Sequence, residues 1–116
     1  MSNFEKLKTF EPLPSSLTIK SSPIHGLGLF AITEISSDTE LGISHVKDDR
    51  FSHGYIRTPL GGFFNHSKKP NCKAVYDGDF IKIITLSNIN SGDEITVDYT
   101  KHDWIKKTDE ELFIYI

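Results

Sequence analysis

Two polar, turn-rich segments separated by a hairpin pattern constrain this chain more than any other feature. Residues 65–72 have the sequence NHSKKPNC, and residues 92–99 have the sequence GDEITVDY. Between them, two apolar runs at 73–76 and 80–86 flank Asp77-Gly78-Asp79. Aspartate and glycine tolerate the positive φ of a tight turn, so this stretch predicts a compact β-hairpin.

Short apolar runs bounded by turn residues recur along the rest of the chain. Strands are predicted at residues 17–20, 28–32, 41–46 and 95–97. Residues 47–62 show no clean period, and Pro59, Gly61 and Gly62 indicate irregular backbone there. Many short strands with turn punctuation and little helix predict a mainly β fold of several small sheets.

The chain divides into a core and two short ends. Pro12 and Pro14 close an N-terminal arm over residues 1–14, and the core is expected over 15–104. At the other end, Thr108-Asp109-Glu110-Glu111 has the spacing of an N-capping box. A short C-terminal segment over 105–116, in helical form, is therefore predicted.

Composition excludes several classes of protein. The 116 residues are 37% apolar and 25% charged, which is ordinary for one globular domain. A net charge of −3 argues against a surface that binds nucleic acid. No apolar run approaches the length of a membrane span, and the N-terminus has no hydrophobic signal core. We expect a soluble cytoplasmic or other intracellular protein without membrane contact.

The number and spacing of the cysteines and histidines predict neither a disulfide nor a metal site. The single cysteine, Cys72, can form neither an internal disulfide nor a Cys-rich zinc site. The five histidines show no ligand spacing, so no metal site is predicted; they are His25, His45, His53, His66 and His102. The last 26 residues hold seven acids against three lysines, which suits either a basic peptide or a solvated charged surface.

Each polar motif has a competing interpretation when it stands alone. Gly26-Leu27-Gly28 lacks the third glycine and following helix of a dinucleotide site, and could be a simple glycine bend. His66 has no nearby acid to orient it and Ser67 lies in no nucleophile elbow, so a self-bonded turn is the alternative to a catalytic triad. Tyr99 by itself suits a core or interface aromatic.

Taken together and in this order, the motifs resemble the SET-domain family of protein-lysine methyltransferases. The series is Gly-x-Gly at 26–28, Asn-His-Ser-x-x-Pro-Asn at 65–71 and Gly-Glu-Glu-Ile-Thr-x-Asp-Tyr at 92–99, where Asp93 replaces the first glutamate. The likeness runs from about residue 17 to residue 104 and is greatest to minimal viral and bacterial members without zinc-binding flanks. It implies a β-clip-like SET fold of several small sheets with a C-terminal pseudoknot.

The resemblance also implies a cofactor and a set of site residues. S-adenosylmethionine would bind to the backbone of His25, Gly26, Leu27 and Gly28, to the Asn65 side chain, to the His66 backbone and to Trp104. Tyr99 would be the catalytic residue. The walls of the lysine channel would be Tyr55, Phe64, Tyr99 and Trp104. The implied partner is a lysine-containing protein or peptide of basic character.

Two departures from the family keep a second hypothesis open. Gly26 and Asn65 are close in sequence for this family, so the insert that shapes the peptide groove is nearly absent. The arginine often found before the Asn-His pair is replaced within Gly61-Gly62-Phe63-Phe64. A homodimer could complete the groove, and we expect one. The alternatives are a catalytically degenerate module that binds a protein, and an unrelated β-rich structural or antitoxin-like partner.

Overall fold

The chain forms short strands with little helix. The computed structural model describes residues 13–51 and 54–101. Within them the elements are, in chain order, β1 (Leu17–Ser21), β2 (Leu27–Ala31), β3 (Glu40–Lys47), β4 (Tyr55–Arg57), α1 (Pro59–Phe63), β5 (Asn65–His66), β6 (Cys72–Asp77), β7 (Phe80–Thr85), β8 (Thr96–Val97) and a 3-10 turn (Tyr99–Lys101). The mainly β fold class predicted from the sequence is confirmed.

The strands form two sheets. β1 and β2 make an antiparallel ribbon, and the other six strands lie in the order β4-β3-β7-β6-β8-β5. The predicted hairpin is β6–β7, with Asp77 opposite Phe80 and a two-residue loop between them. Gly78, the first loop residue, has φ +61°, which is the geometry of a type II′ turn and matches the right-handed twist of the strands.

β8 joins parts of the chain that are distant in sequence. It pairs in parallel with β5 on one side, where Asn65 lies opposite Thr96, and with β6 on the other. Asn71 stabilises the entry to β8, because its amide donates to the Glu94 carbonyl (2.7 Å) and accepts from the Thr96 N–H (2.9 Å). A late strand thus lies between two consecutive earlier ones, as the pseudoknot implied by the resemblance requires.

The segment before β8 also connects the two sheets. The N–H of Ala31 donates to the Asp93 carbonyl (2.9 Å), and that of Ile95 donates to the Leu29 carbonyl (2.8 Å). Between these bonds Phe30 forms an antiparallel bridge with Glu94. The side chains that fill the core beneath are apolar and fully buried; they include Leu29, Ile83, Ile89, Ile95 and Val97. Burying each contributes about 1.5–3 kcal/mol.

The prediction of irregular backbone for residues 47–62 is wrong over its second half, where β4 and α1 form. Thr58 caps α1, since its hydroxyl accepts from the Gly61 N–H (3.3 Å). Pro59 lies in the first turn, where its missing N–H removes no helical bond. Gly61 and Gly62 conceal this helix in the sequence, because glycine is a poor helix former.

Several predictions fall on other parts of the chain. Residues 1–12 of the N-terminal arm, Trp104 and the predicted C-terminal helical segment lie outside the described residues. No helix in the described part is both long and apolar enough to cross a membrane. The homodimer stays a prediction.

Gly61 and Gly62 offer a matched pair of substitutions in α1. A Cβ on Gly61 would collide with the backbone carbonyl of Ser44, whereas a Cβ on Gly62 would meet nothing within 4 Å. Gly61→Ala should lower the free energy of unfolding by about 2–3 kcal/mol, since backbone cannot rotate away from the added methyl. Gly62→Ala should keep or raise it, by up to about 1 kcal/mol. Urea denaturation measures both, and equal losses would contradict the packing of α1 on β3.

Cys72 gives a pH-dependent test of core burial. Burial raises the pKa of its thiol from 9.0 to about 12. The folded chain therefore keeps the thiol proton where the unfolded chain loses it, and stability falls as pH rises from about 9 to 12. We expect the slope for wild type to be steeper than that for Cys72→Ala by up to about 1.4 kcal/mol per pH unit. Urea denaturation across this range measures it, and identical slopes in the two proteins would refute the buried thiol.

Candidate active site

The side-chain amide of Asn65 joins three segments of the chain. Asn65 is buried on β5, and its Nδ2 lies 3.2 Å from the His25 carbonyl, 3.2 Å from the Leu27 carbonyl and 2.7 Å from Oε2 of Glu94. A flipped amide would place its oxygen against these acceptors, so Oδ1 must face away from them. One side chain thereby ties the bend at residues 25–27 to β5 and to the entry of β8.

Ser22 completes the cluster. Its hydroxyl donates to the Glu94 carboxylate, with both carboxylate oxygens 2.8 Å away, and its oxygen lies 3.1 Å from Nδ2 of Asn65. The same oxygen accepts from the Ile24 N–H (3.0 Å), which closes the turn after β1. We call Ser22, Asn65 and Glu94, with the carbonyls of His25 and Leu27, the Asn65 cluster.

The two glycines of the bend serve different purposes. Gly26 has φ +47° and open space around it, so its role is the left-handed backbone that shapes the bend. Gly28 is buried in β2, and a Cβ there would collide with Oε2 of Glu94 and lie 3.1 Å from Nδ2 of Asn65. Gly28 therefore leaves the space that the Glu94 carboxylate occupies.

Tyr99 is held by two hydrogen bonds, one from its hydroxyl and one from its backbone N–H, to β5 and to the residue before it. Its hydroxyl donates to the carbonyl of Phe64, the residue before Asn65, at 2.7 Å. Its backbone N–H donates to Nδ1 of His66 at 3.0 Å, so in the neutral ring the imidazole proton is on Nε2. The phenol and the Asn65 amide are thereby held by consecutive residues, Phe64 before β5 and Asn65 within it.

Aromatic rings continue from Tyr99 toward β4. The Phe64 ring lies edge-on to Tyr99 with centroids 6.0 Å apart, and the His66 ring lies 5.2 Å away on a tilted plane. His45 contacts Phe64 (6.4 Å) and Tyr55 (6.3 Å), both edge-on. Such pairs contribute about 0.5–1.5 kcal/mol each beyond burial, so they stiffen the wall beside the phenol.

Asp98 supports the backbone that carries the phenol. Its Oδ1 accepts from the hydroxyl (2.6 Å) and the N–H (3.0 Å) of Thr100. The hydroxyl bond chiefly, then the N–H bond and the nearby His66, lower the pKa of the Asp98 carboxyl. An ionised Asp98 therefore caps the 3-10 turn that begins at Tyr99.

Comparison with known proteins identifies the family. The sequence model of the SET-domain family matches residues 43–100, which is half of the chain. The chain belongs to the SET-domain family. The matched region contains β5, β8 and Tyr99, the parts of the site that the pseudoknot-like strand order brings together.

Two curated relatives align with different lengths of this SET-domain chain. A Schizosaccharomyces pombe protein named histone-lysine N-methyltransferase, H3 lysine-37 specific, is 27% identical over 115 residues, which cover 79% of this chain and 78% of that protein. A SET and MYND domain-containing protein of Dictyostelium discoideum is 38% identical over 50 residues, and this match spans 43% of the chain but only 13% of that protein's length.

Solved structures share the fold at low sequence identity. A Plasmodium falciparum protein named as a histone methyltransferase superposes with a TM-score of 0.61 at 21% identity, covering 75% of this chain and 95% of that one. The methyltransferase domain of human PR domain-containing protein 2 superposes with a TM-score of 0.60 at 17% identity, covering 73% and 77%. These likenesses show that the fold is that of SET domains.

Most of the predicted site residues meet in this SET domain. The bend at residues 25–28 surrounds the Asn65 amide, and Tyr99 contacts both Phe64 and His66. Tyr55 lies one ring farther away, beyond His45. Trp104 lies outside the described residues. Within the described ranges, no three histidine, cysteine, aspartate or glutamate side chains gather as metal ligands. The roles of the site residues stay predictions.

Sequence reasoning misses three residues of the site. Glu94 and Asn71 belong to the motifs, and their places within residues 92–99 and 65–71 were a signal, but their partners depend on the strand order. Ser22 lies in a Ser-Ser-Pro turn whose composition predicts only the turn. Its contact with a carboxylate from the far end of the chain has no local signature.

His66 provides a test of how the Tyr99 backbone is held. His66→Ala removes the acceptor of the Tyr99 N–H and should lower the free energy of unfolding by about 1 kcal/mol. In His66→Asn the amide oxygen can take the place of Nδ1, so we expect at most about half of that loss. Chemical denaturation measures both variants. If both variants lost the same free energy of unfolding, the hydrogen bond from the Tyr99 N–H would contribute nothing to stability.

Proposed function

We propose that this chain is an S-adenosylmethionine-dependent methyltransferase that transfers a methyl group to the ε-amine of a protein lysine. One observation carries the proposal: the Asn65 amide, the glycine bend and the Tyr99 hydroxyl converge at β5 although the chain separates them widely. Methyl transfer is an in-line displacement, and holding the reacting atoms aligned at roughly 3–3.5 Å supplies much of its acceleration.

The chemistry of the Asn65 cluster fits the amino-acid end of this cofactor. The carbonyl oxygens of His25 and Leu27 and the Glu94 carboxylate are acceptors, which suits an ammonium group. Gly26 lets the backbone come close to a ligand, because no Cβ intrudes. When bound, the cofactor supplies an electrophilic methyl group on a sulfonium. The His66 backbone and Trp104 would contact its adenine, as the family resemblance implies.

Tyr99 would orient the lysine amine without removing its proton. Its hydroxyl hydrogen is directed at the Phe64 carbonyl. A phenol oxygen is also an acceptor, and in this role it would receive a hydrogen bond from the amine. Phe64 and Tyr99 would form adjacent walls of a narrow aromatic channel, with Tyr55 and Trp104 completing it. Low polarity in the channel and the neighbouring sulfonium both favour the neutral amine, whose ordinary pKa is about 10.4. The amine would therefore release its proton to solvent before it takes the methyl group.

The substrate class proposed is a basic protein. A relative that matches 79% of this chain is named as a histone H3 lysine methyltransferase, which supports lysine as the acceptor. The chain itself has a net charge of −3, and its last 26 residues hold seven acids against three lysines, a balance that attracts cationic peptides. Core histones and lysine-rich peptides are thus the first substrates to test. A homodimer could complete the short groove.

Removing the Tyr99 hydroxyl tests the proposal. With methyl-labelled S-adenosylmethionine and core histones, Tyr99→Phe should lower the transfer rate by about 10²-fold, because an orienting group that acts on the reacting amine is lost. The matched control is Tyr76→Phe, which deletes the same hydroxyl from the exposed β6–β7 hairpin and should leave the rate unchanged. Label incorporation into the histones, counted after gel separation, measures all three proteins.

Two results would contradict the lysine methyltransferase. If wild type binds the cofactor but labels no protein in a lysine-rich panel, the chain acts as a protein-binding module instead. If calorimetry detects no heat with either S-adenosylmethionine or S-adenosylhomocysteine, the cofactor assignment itself fails.

A further inference from the structure

The Asn65 cluster contains more hydrogen-bond acceptors than its own donors can serve. Nδ2 of Asn65 has two hydrogens, yet three oxygen atoms lie within hydrogen-bond distance of it in addition to the Ser22 hydroxyl, which already accepts from the Ile24 N–H. They are the carbonyls of His25 and Leu27 and Oε2 of Glu94. The Ser22 hydroxyl adds one hydrogen, and it is directed at the Glu94 carboxylate. The carboxylate and carbonyl oxygens therefore have acceptor capacity left over for a donor that the described residues do not supply.

Among the described residues, the negative charge of the same site has no ion-pair partner. Glu94 is half-buried and receives hydrogen bonds from two neutral groups, Ser22 and Asn65. Across residues 13–51 and 54–101 no lysine, arginine or histidine forms an ion pair with it. A charge in this position costs desolvation energy without an ionic partner. Gly28 keeps the space for it, since any larger residue would displace the carboxylate.

We propose that Glu94 is the counter-ion that makes the site select a ligand with an ammonium group, namely the α-ammonium of the cofactor. The inference rests on the proposed function and deepens it. Glu94 is a specificity-determining residue here, with no part in the chemical step. An ammonium provides both things that the cluster lacks, three hydrogens and one positive charge.

The test uses two ligands that differ by the ammonium alone. S-adenosylhomocysteine carries it, and 4-(5′-adenosylthio)butanoate has the same adenosine, thioether and carboxylate but lacks the amino group. Calorimetry on the full chain should show that wild type prefers S-adenosylhomocysteine by at least about tenfold, which corresponds to one short-range charge interaction.

Glu94→Gln keeps the shape of the side chain and removes its charge. The substitution should lower the affinity for S-adenosylhomocysteine by about tenfold. The affinity for the des-amino compound should stay the same or rise, because the Glu94 carboxylate no longer repels the carboxylate of that ligand. Ser22→Ala is the matched control, since it removes a hydrogen bond from the same carboxylate and keeps the charge. It should alter both affinities by the same factor, so the wild-type preference survives.

Three outcomes would overturn the counter-ion role. Glu94→Gln could bind S-adenosylhomocysteine as tightly as wild type does. It could also lower the affinities for both ligands by the same factor, which is the result expected if Glu94 has a purely structural role. Wild type could also bind the two ligands with the same affinity, a result that needs no variant and holds if Glu94→Gln fails to fold. If wild type binds S-adenosylhomocysteine in any of these cases, the proposed function survives. If wild type binds neither ligand, both proposals fail.

Discussion

The parallel pairing of β8 with β5 and β6 is the constraint on which the rest of the site depends. β8 is two residues long, and its strand pairing is reinforced by the Asn71 side chain, which bonds the backbone on both sides of Ile95. Val97 is fully buried beneath it. This short strand fixes Glu94 just before the sheet and Tyr99 just after it, so one set of backbone bonds positions both ends of the site.

The site has two halves of opposite character on either side of Asn65. On one side is an oxygen-rich cluster with the Glu94 carboxylate and two backbone carbonyls, suited to a cationic ligand group. On the other are the edge-on rings of Phe64 and Tyr99, which suit an alkyl chain. The proposed reaction needs both, since a charged, polar cofactor passes its methyl group to an amine that is carried on the aliphatic stem of lysine.

Local patterns predicted the elements that local chemistry specifies. The Asp-Gly turn predicted the β6–β7 hairpin because positive φ at Gly78 is a property of that residue itself. α1 was not predicted, since its two glycines disfavour a helix by propensity; the fold requires Gly61 because it packs against the Ser44 carbonyl. β4 is three residues long, too short for a period, and exists through pairing with β3.

The amino-acid sequence by itself determined the class of fold and the family, and it supplied the candidate site residues, because motifs and turn residues act over a few positions. Only the tertiary structure decided that Ser22 and Glu94 surround the Asn65 amide, that Gly28 leaves room for a carboxylate and that the Tyr99 hydroxyl ends on the Phe64 carbonyl. The reason is physical: these contacts depend on the register of β8 between β5 and β6, and a pairing between distant strands leaves no local trace in a sequence.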